Sequence, residues 1–350
     1  MAAARNRPSE AQLLNLITDV EGIAIGAASD DRLISGVSVV LFERPMVASV
    51  AVLGGAPAGR DLGCLEPDAV VEGVDAIVLS GGSGFGLDAA SGAQAWLRAH
   101  GRGFQVGPVR VPIVPSAVCF DLTNGGDTDW GRYPPYRELG FAACEAARAG
   151  AVALGSVGAG IGASTADLRG GLGSASAITS AGHTVGALVV VNALGSALLD
   201  DGPYFLAAML EQGHELGGLG WPATRAAGPL RHVWKGRGRE PATTIACVAT
   251  DATLTKAQAK RLAIAANDGL ARGLRLAHAP MDGDTVFAAA TGRRPLADPM
   301  QELIELGAVA ADCLARAIAR GVYEASIPPP SWTGPPAWRQ RFAAATRTGS

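Results

Sequence analysis

A pair of threonines near the middle of the chain, Thr243-Thr244, stands where a new chain end could be made. The stretch before it, Trp221–Pro241, is irregular, whereas the run after it, Ile245–Ala249, is apolar and predicts a buried strand. A hydroxyl at the first residue of a core strand, behind a loop that can be cut, is what a self-cleaving N-terminal nucleophile requires. The freed α-amine, with a pKa of about 7.7–8.0, could then serve as the base for that hydroxyl. A β-branched pair that merely enters a strand would look the same.

The stretch Trp221–Pro241 is expected to be an exposed loop, because glycines and prolines interrupt any periodicity in it. We expect five positive side chains to keep it in water: Arg225, Arg231, Lys235, Arg237 and Arg239. It is the one clear break in composition along the sequence.

Three further polar residues follow or precede predicted strands. Asn192 ends the apolar run Val185–Val191, and a carboxamide there can donate to a developing oxyanion, although a turn residue before Gly195 is an alternative. Asp282 and Asp284 are two residues apart on an extended segment and therefore point the same way. They could hold an ammonium and a hydroxyl in line, chelate a cation, or only shape an Asp-Gly turn.

Two glycine-rich segments, Ser80–Asp88 and Gly155–Gly162, resemble dinucleotide-binding turns, whose backbone amides can approach a phosphate. No acidic residue stands at the distance that a Rossmann fold needs. We therefore expect these turns to line a pocket or to let sheets pack closely.

Composition excludes several classes of function. A net charge of −3 and a pI near 6.0 do not favour nucleic-acid or membrane-surface binding. No span of about 18 apolar residues and no apolar signal core is present. The five cysteines lack a C-x-x-C pair and are expected to be free and buried, as in a cytoplasmic protein. Neither H-E-x-x-H nor G-x-S-x-G occurs, so we expect no metal, no cofactor and no serine triad.

Alternating strands and helices predict one α/β domain over residues 1–350. The predicted strands are Gly36–Phe42, Met46–Leu53, Ala76–Leu79, His183–Val191 and Ile245–Thr250. The predicted helices are Leu87–Ala99, Tyr136–Arg148, one that begins at a Thr255–Gln258 capping box and runs through Leu274, and Pro299–Arg320, ended by Gly321. The proline-rich segment from Ile327 is expected to be extended and peripheral.

The order of these motifs is more specific than any one of them. The chain carries Gly36-Val-Ser-Val-Val, Gly81-Gly-Ser-Gly-Phe-Gly-Leu, Val114-Pro-Ser-Ala-Val-Cys-Phe-Asp121, Arg169-Gly-Gly-Leu-Gly, Asn192, Ala242-Thr-Thr and Asp282-Gly-Asp284. In this order they resemble the L-aminopeptidase/D-esterase (DmpA-type) peptidase family, which includes β-aminopeptidases and the nylon-oligomer hydrolase. The resemblance extends over roughly Leu16 to Gly321.

The resemblance implies a precursor that cuts itself between Ala242 and Thr243, into an α chain of residues 1–242 and a β chain of residues 243–350. Thr243 would be the nucleophile and Asn192 the oxyanion donor. Asp282 and Asp284 match the pair that orients the nucleophile and its amine. Two departures are visible: Ala242 stands where Asn is common, and Arg169 where close relatives carry a lysine.

The resemblance implies that Arg169 is one of the catalytic residues. An arginine is a permanent cation and cannot serve as a base, so Arg169 can replace that lysine in an electrostatic role, whereas processing would be impaired if the lysine exchanges protons. Phe120 lies where some relatives have tyrosine and removes one hydrogen bond.

The implied fold is a four-layer αββα sandwich of the DmpA/ornithine acetyltransferase-like type, assembled as a tetramer of processed heterodimers. The implied activity is hydrolysis of small peptides, amino-acid amides or esters through an acyl-threonine. Acetyl transfer of the ornithine acetyltransferase type and an unprocessed ligand-binding homologue are the alternatives.

Overall fold

The computed structural model describes residues 13–224, 232–238 and 241–345. The strands in this part of the chain are β1 (Ile23–Asp30), β2 (Ser35–Val52), β3 (Gly59–Arg60), β4 (Val74–Ser80), β5 (Phe104–Val106), β6 (Val109–Val111), β7 (Ser116–Val118), β8 (Leu172–Ile178), β9 (Thr184–Asn192), β10 (Thr243–Ala252) and β11 (Thr285–Arg294). The α-helices are α1 (Ala89–Ala99), α2 (Tyr136–Glu145), α3 (Lys256–Ala266), α4 (Asp268–Gly273), α5 (Pro299–Tyr323) and α6 (Trp338–Arg341).

One long strand, β2, belongs to two sheets. Its first half pairs with β1 and β4, and its second half pairs with β11. The two strands predicted at Gly36–Phe42 and Met46–Leu53 are these two halves. Pro45 lies between them and has no N–H for the ladder, and the register with β4 shifts between Leu41 and Met46. The first sheet thus runs β3-β7-β4-β2 with β1 on β2, and the second runs β2-β11-β10-β9-β8.

Side chains of the two sheets alternate between three buried clusters. Val40 and Phe42 of β2 meet Ile245 and Phe287 of the second sheet in the cluster between the sheets. The outer face of the first sheet packs on α1 and α2. The outer face of the second packs on α3, α4 and α5. Three clusters separate four layers, so the predicted αββα sandwich is confirmed.

The strand directions place the ends of three neighbouring strands side by side at one end of the second sheet. β10 is antiparallel to β9, and Thr243 is paired with Asn192 at the end of β9. β10 is parallel to β11, and Ile245 is paired with Thr285. The start of β10, the end of β9 and the start of β11 therefore lie side by side.

The helix predictions are confirmed in position and corrected at their ends. Thr255 and Gln258 form the predicted capping box of α3. The helix does not run unbroken to Leu274, because Asn267 ends α3 and donates its side-chain amide to the carbonyl of Ala263. Leu270 and Leu274 are still buried, on α4 and just after it.

Two other helices end elsewhere than predicted. α2 stops at Glu145, because the backbone of Arg148 pairs with that of Ile25 in β1. α5 continues through Gly321 to Tyr323. Gly321 lies against Gly173 of β8, where a Cβ would come within 3.1 Å of the strand's backbone nitrogen, so it serves close packing and not helix termination.

The cysteines are free, as expected; four are buried and Cys64 is half-buried. None of the helices within the described ranges is long and apolar enough to cross a membrane.

Candidate active site

Thr243 is the first residue of β10 and is only 6% exposed. It shares a strand face with Ile245 and Cys247, which belong to the cluster between the sheets, whereas Thr244 is on the face of Ala246. The Thr243 hydroxyl donates to the carbonyl of Ala242 at 2.5 Å. The nucleophile candidate thus lies against the peptide bond that precedes it.

A second donor reaches the same carbonyl. The backbone N–H of Gly283 donates to the Ala242 oxygen at 3.0 Å. A Cβ on Gly283 would lie 2.7 Å from the Thr243 Oγ, which is too close for any other residue. The glycine between the two aspartates is therefore required by contact with Thr243, and not only by a turn.

Asp284 holds the backbone around the nucleophile. It is buried, and its carboxylate accepts from the N–H of Thr244 at 2.9 Å and from the N–H of His278 at 2.7 Å. The His278 Nδ1 lies 3.1 Å from the same carboxylate. Asp284 fixes the residue after Thr243, and its side-chain hydrogen bonds within the described ranges are with Thr244 and His278.

Asp282 is also buried, and it has an unused acceptor. Its Oδ2 accepts from the N–H of Ala279 at 3.1 Å, while Oδ1 has no well-formed hydrogen bond within the described residues. Burial, followed by the charge of Asp284, raises the pKa of the Asp282 carboxyl to about 7. A parallel bridge pairs the backbones of Ala242 and Asp282, so Asp282 lies next to the residue that precedes Thr243.

Asn192 is held at both ends of its amide. The Oδ1 accepts from the N–H of Ser164 at 3.1 Å and from the Lys235 ammonium at 2.8 Å. The Nδ2 donates to the carbonyl of Phe120 at 2.8 Å and keeps a second proton. These contacts fix which end of the amide carries the donor.

Lys235 was expected in solvent, and that prediction is wrong. The side chain is buried because its ammonium donates to the Asn192 Oδ1 and, at 3.3 Å, to the Asn192 carbonyl. Its own N–H donates to Leu194 at 3.0 Å. The sequence did contain a signal that Lys235 could belong to the site, because it is one of only three lysines and lies eight residues before Thr243. Of the other predicted loop cations, Arg225, Arg231 and Arg239 and the side chain of Arg237 lie outside the described residues.

Arg169 contacts a different part of the molecule. Its guanidinium donates to the carbonyl of Ile161 at 2.9 Å and to the carbonyl and hydroxyl of Ser326 at 3.1 and 3.2 Å. It also lies 4.8 Å from the ring of Trp332. Burial lowers its pKa to about 10, so it remains a cation at neutral pH. None of its hydrogen bonds within the described ranges reaches Thr243, Asn192 or the two aspartates.

A cavity of about 460 Å³ opens beside Asn192. Phe120, Asp121, Asn192, Lys235, Pro241 and Trp332 are among the residues that line it. The proline-rich C-terminal segment was expected to be peripheral, and the structure corrects this: Trp332 to Pro335 form part of the wall.

The amides of the glycine-rich turns bond within the protein. The N–H of Gly82 donates to Asp121 at 2.7 Å, and the N–H of Gly158 donates to Ser29 at 2.8 Å. Burial raises the pKa of the Asp121 carboxyl to about 6. The turns pack the first sheet onto its neighbours, and these two amides are not free for a phosphate.

The four-layer sandwich defines the class of fold. A solved L-aminopeptidase D-Ala-esterase/amidase from Ochrobactrum anthropi, described as a variant of the N-terminal nucleophile hydrolase fold, superposes with a TM-score of 0.68. The match covers 95% of this chain and 93% of that one, at 19% identity. The fold is thus that of the N-terminal nucleophile hydrolases.

The chain belongs to peptidase family S58, whose model matches residues 15–328. A Mycobacterium tuberculosis protein, described as an uncharacterized aminopeptidase, is 42% identical over 357 residues, covering 95% of this chain and 99% of the relative. The 6-aminohexanoate-oligomer endohydrolase of Paenarthrobacter ureafaciens is 26% identical over 289 residues, covering 78% and 74%. The family resemblance inferred from the motifs is confirmed, and the chain is a hydrolase of the aminopeptidase class.

Proposed function

We propose that this chain is the precursor of a self-processing aminopeptidase, that it cuts itself between Ala242 and Thr243, and that Thr243 is its nucleophile. The observation that supports this is the convergence of two donors, the Thr243 hydroxyl and the Gly283 N–H, on the Ala242 carbonyl. One of them can attack the carbonyl carbon, and the other stabilises negative charge on its oxygen.

In the processing step, the Thr243 Oγ bonds to the Ala242 carbonyl carbon and gives up its proton. The C–N bond to Thr243 then breaks, and the nitrogen takes up this proton and leaves as the amine of a new N-terminus. Water hydrolyses the resulting ester, which releases the carboxylate of Ala242 and regenerates the hydroxyl. The unused Oδ1 of the buried Asp282 is an acceptor for the new ammonium.

In the turnover step, the freed α-amine takes the proton of the Thr243 hydroxyl, which attacks the substrate carbonyl. The remaining Nδ2 proton of Asn192 donates to the oxyanion. The amine leaving group departs with a proton, and water cleaves the acyl-threonine ester. Asp284, through the N–H of Thr244, keeps the strand end in place during both steps.

The positive charge beside Asn192 is assigned to Lys235, which contacts it directly. Arg169, for which we predicted a catalytic role, is instead assigned to support of the pocket wall, because it contacts Ser326 and the lining residue Trp332. The substrates are small peptides, amino-acid amides or esters. We also propose that the processed chains assemble in the cytoplasm, as a tetramer of heterodimers.

The proposal predicts two fragments in the purified protein. A cut before Thr243 leaves 242 residues in one piece and 108 of the 350 in the other. Dividing the mass of 35.4 kDa in proportion to the fragment lengths gives about 24 and 11 kDa. Intact mass spectrometry and N-terminal sequencing of the smaller piece, which should begin Thr-Thr-Ile, test this. A folded chain that remains at full length after prolonged incubation contradicts it.

A further inference from the structure

We propose that the C-terminal segment, defined as Ser326–Pro336, closes the substrate pocket and limits the enzyme to removing a single amino-terminal residue. This rests on the proposed function, because it takes the cavity beside Asn192 as the place where the acyl part of the substrate binds. It adds a determinant of substrate length.

Part of the wall lies beyond the residues that the family model matches. The family model ends at residue 328, whereas the cavity is lined by Trp332, Thr333, Gly334 and Pro335. The residues that the family model matches thus supply the strand ends, and a segment that follows them supplies one side of the pocket.

The segment is bonded to the rim of the pocket. The N–H and the hydroxyl of Thr333 donate to the carbonyls of Asn124 and Thr123, at 2.9 and 3.0 Å. Gly125 permits this approach: its φ is +98°, and a Cβ there would lie 1.9 Å from the Ser331 carbonyl oxygen. The C-terminal segment therefore packs in a defined position against residues 123–125, and this contact depends on a glycine at position 125.

Arg169 anchors the segment from inside. Its backbone N–H donates to the carbonyl of Pro336 at 2.8 Å, its guanidinium donates to Ser326, and the same guanidinium stacks under the ring of Trp332. A planar fork that bonds in two directions while it stacks is a property of arginine. A lysine ammonium could not make all of these contacts. The arginine at this position and the C-terminal wall therefore belong together.

The pocket suits a free amino terminus. Its two charged lining residues, within the described part of the chain, are Asp121 and Lys235. A lysine ammonium has no acceptor, so of these two groups only the Asp121 carboxyl can receive an ammonium, in addition to the bonds that it accepts from the Ser35 hydroxyl and the Gly82 N–H. At about 460 Å³ the cavity is near the small end of the range for ligand pockets. A peptide that extends past its acyl residue would run into Trp332 and its neighbours.

The test compares aminoacyl and dipeptidyl p-nitroanilides by identifying the first product with mass spectrometry. The wild type should release p-nitroaniline directly from the aminoacyl substrate. From the dipeptidyl substrate it should release a single amino acid first. Trp332→Ala should raise direct release of the intact dipeptide at least tenfold relative to the aminoacyl reaction, because the wall is opened. Trp221→Ala, which removes an exposed tryptophan that does not line the pocket, should leave the product ratio unchanged.

Two further variants separate pocket shape from folding. Thr333→Val removes one anchor of the segment and should shift the ratio in the same direction by a smaller factor. Arg169→Lys should do the same while still cutting before Thr243. Direct dipeptide release by the wild type, or an unchanged ratio in folded Trp332→Ala, overturns the inference and leaves the nucleophile assignment intact. An uncut, inert wild type overturns the proposed function and this inference with it.

Discussion

Two segments line the same pocket but are held in different ways. In the stretch before Thr243 (Trp221–Pro241), the side chain of Lys235 is buried in the protein, where its ammonium donates to Asn192 at the end of β9. The C-terminal segment bonds to Thr123 and Asn124 and to Arg169, and not to the ends of β9, β10 and β11. The stretch before Thr243 therefore contacts Asn192, a residue of the proposed site, whereas the C-terminal segment contacts residues around the pocket.

Under the proposed function, this difference separates the groups that react from the groups that select the substrate. Thr243, Asn192 and Asp284 are fixed by strand pairing and by bonds between strand ends, so their geometry is that of the sheet itself. Catalytic groups on such elements are held more rigidly than groups on loops. The pocket wall is made of irregular chain and can change without moving the strand ends. The variants below test whether the two functions can be removed separately.

The largest effect is expected from Thr243→Ala. Without the hydroxyl there is no attack on Ala242 and no acyl-enzyme, so the chain should stay whole. Its anilide hydrolysis should fall by at least about 10³-fold. The fold should persist, because the apolar strand after residue 243 is unchanged. Denaturing gels and p-nitroaniline release measure both effects.

Thr244→Ala is the matched control, since its side chain lies on the other strand face and its N–H, which bonds Asp284, is retained. It should be cut and active, and Thr243→Ser should keep part of both properties. A cleaved, active Thr243→Ala protein would move the nucleophile elsewhere.

An intermediate effect is expected from Lys235→Met. The change leaves the Asn192 Oδ1 with one donor instead of two, so the amide is less firmly oriented. Loss of an oxyanion donor costs about 10²–10³ in kcat, and Lys235 orients the proposed donor without replacing it. We expect a loss of about tenfold in kcat with little change in KM.

Lys260→Met provides the control, because the Lys260 ammonium pairs with Glu66 and not with any residue of the site. The melting temperatures of Lys235→Met and Lys260→Met should differ from that of the wild type by similar amounts. If Lys235→Met raises KM and leaves kcat unchanged, Lys235 belongs to substrate binding and not to the positioning of Asn192.

The smallest effect is a pH dependence of stability in the uncut Thr243→Ala protein. Folding raises the pKa of Asp282 from 3.8 to about 7, so the folded chain binds more protons than the unfolded chain between these values. Asp282 therefore makes the free energy of unfolding fall as the pH rises from about 4 to about 7.

Adding Asp282→Asn should remove this contribution, so the double variant should lose less stability over the same pH range. Urea unfolding at several pH values measures the difference. Asp121, whose pKa is also raised, is present in both proteins and cancels in the comparison. Parallel stability curves would show that the Asp282 carboxyl is not protonated on folding.

The sequence by itself determined the elements and the order of the chemical groups. The capping box at Thr255 and the apolar run after Thr244 depend on neighbours along the chain, so pattern alone locates them. The motif order identified the family, and with it the four-layer fold. Asn192, Asp282 and Asp284 were selected through that motif order, because each of them alone could equally be a turn residue.

Only the tertiary structure decided which cation meets the site and what forms the pocket. Lys235 and Arg169 carry the same charge, and no local pattern says that one reaches Asn192 while the other lies under Trp332. Both contacts join segments that are far apart in sequence, 43 residues for Lys235 and Asn192 and 157 for Arg169 and Ser326. Burial of a charge is stable only where such distant partners converge, and that convergence is a property of the packed fold and not of the local sequence.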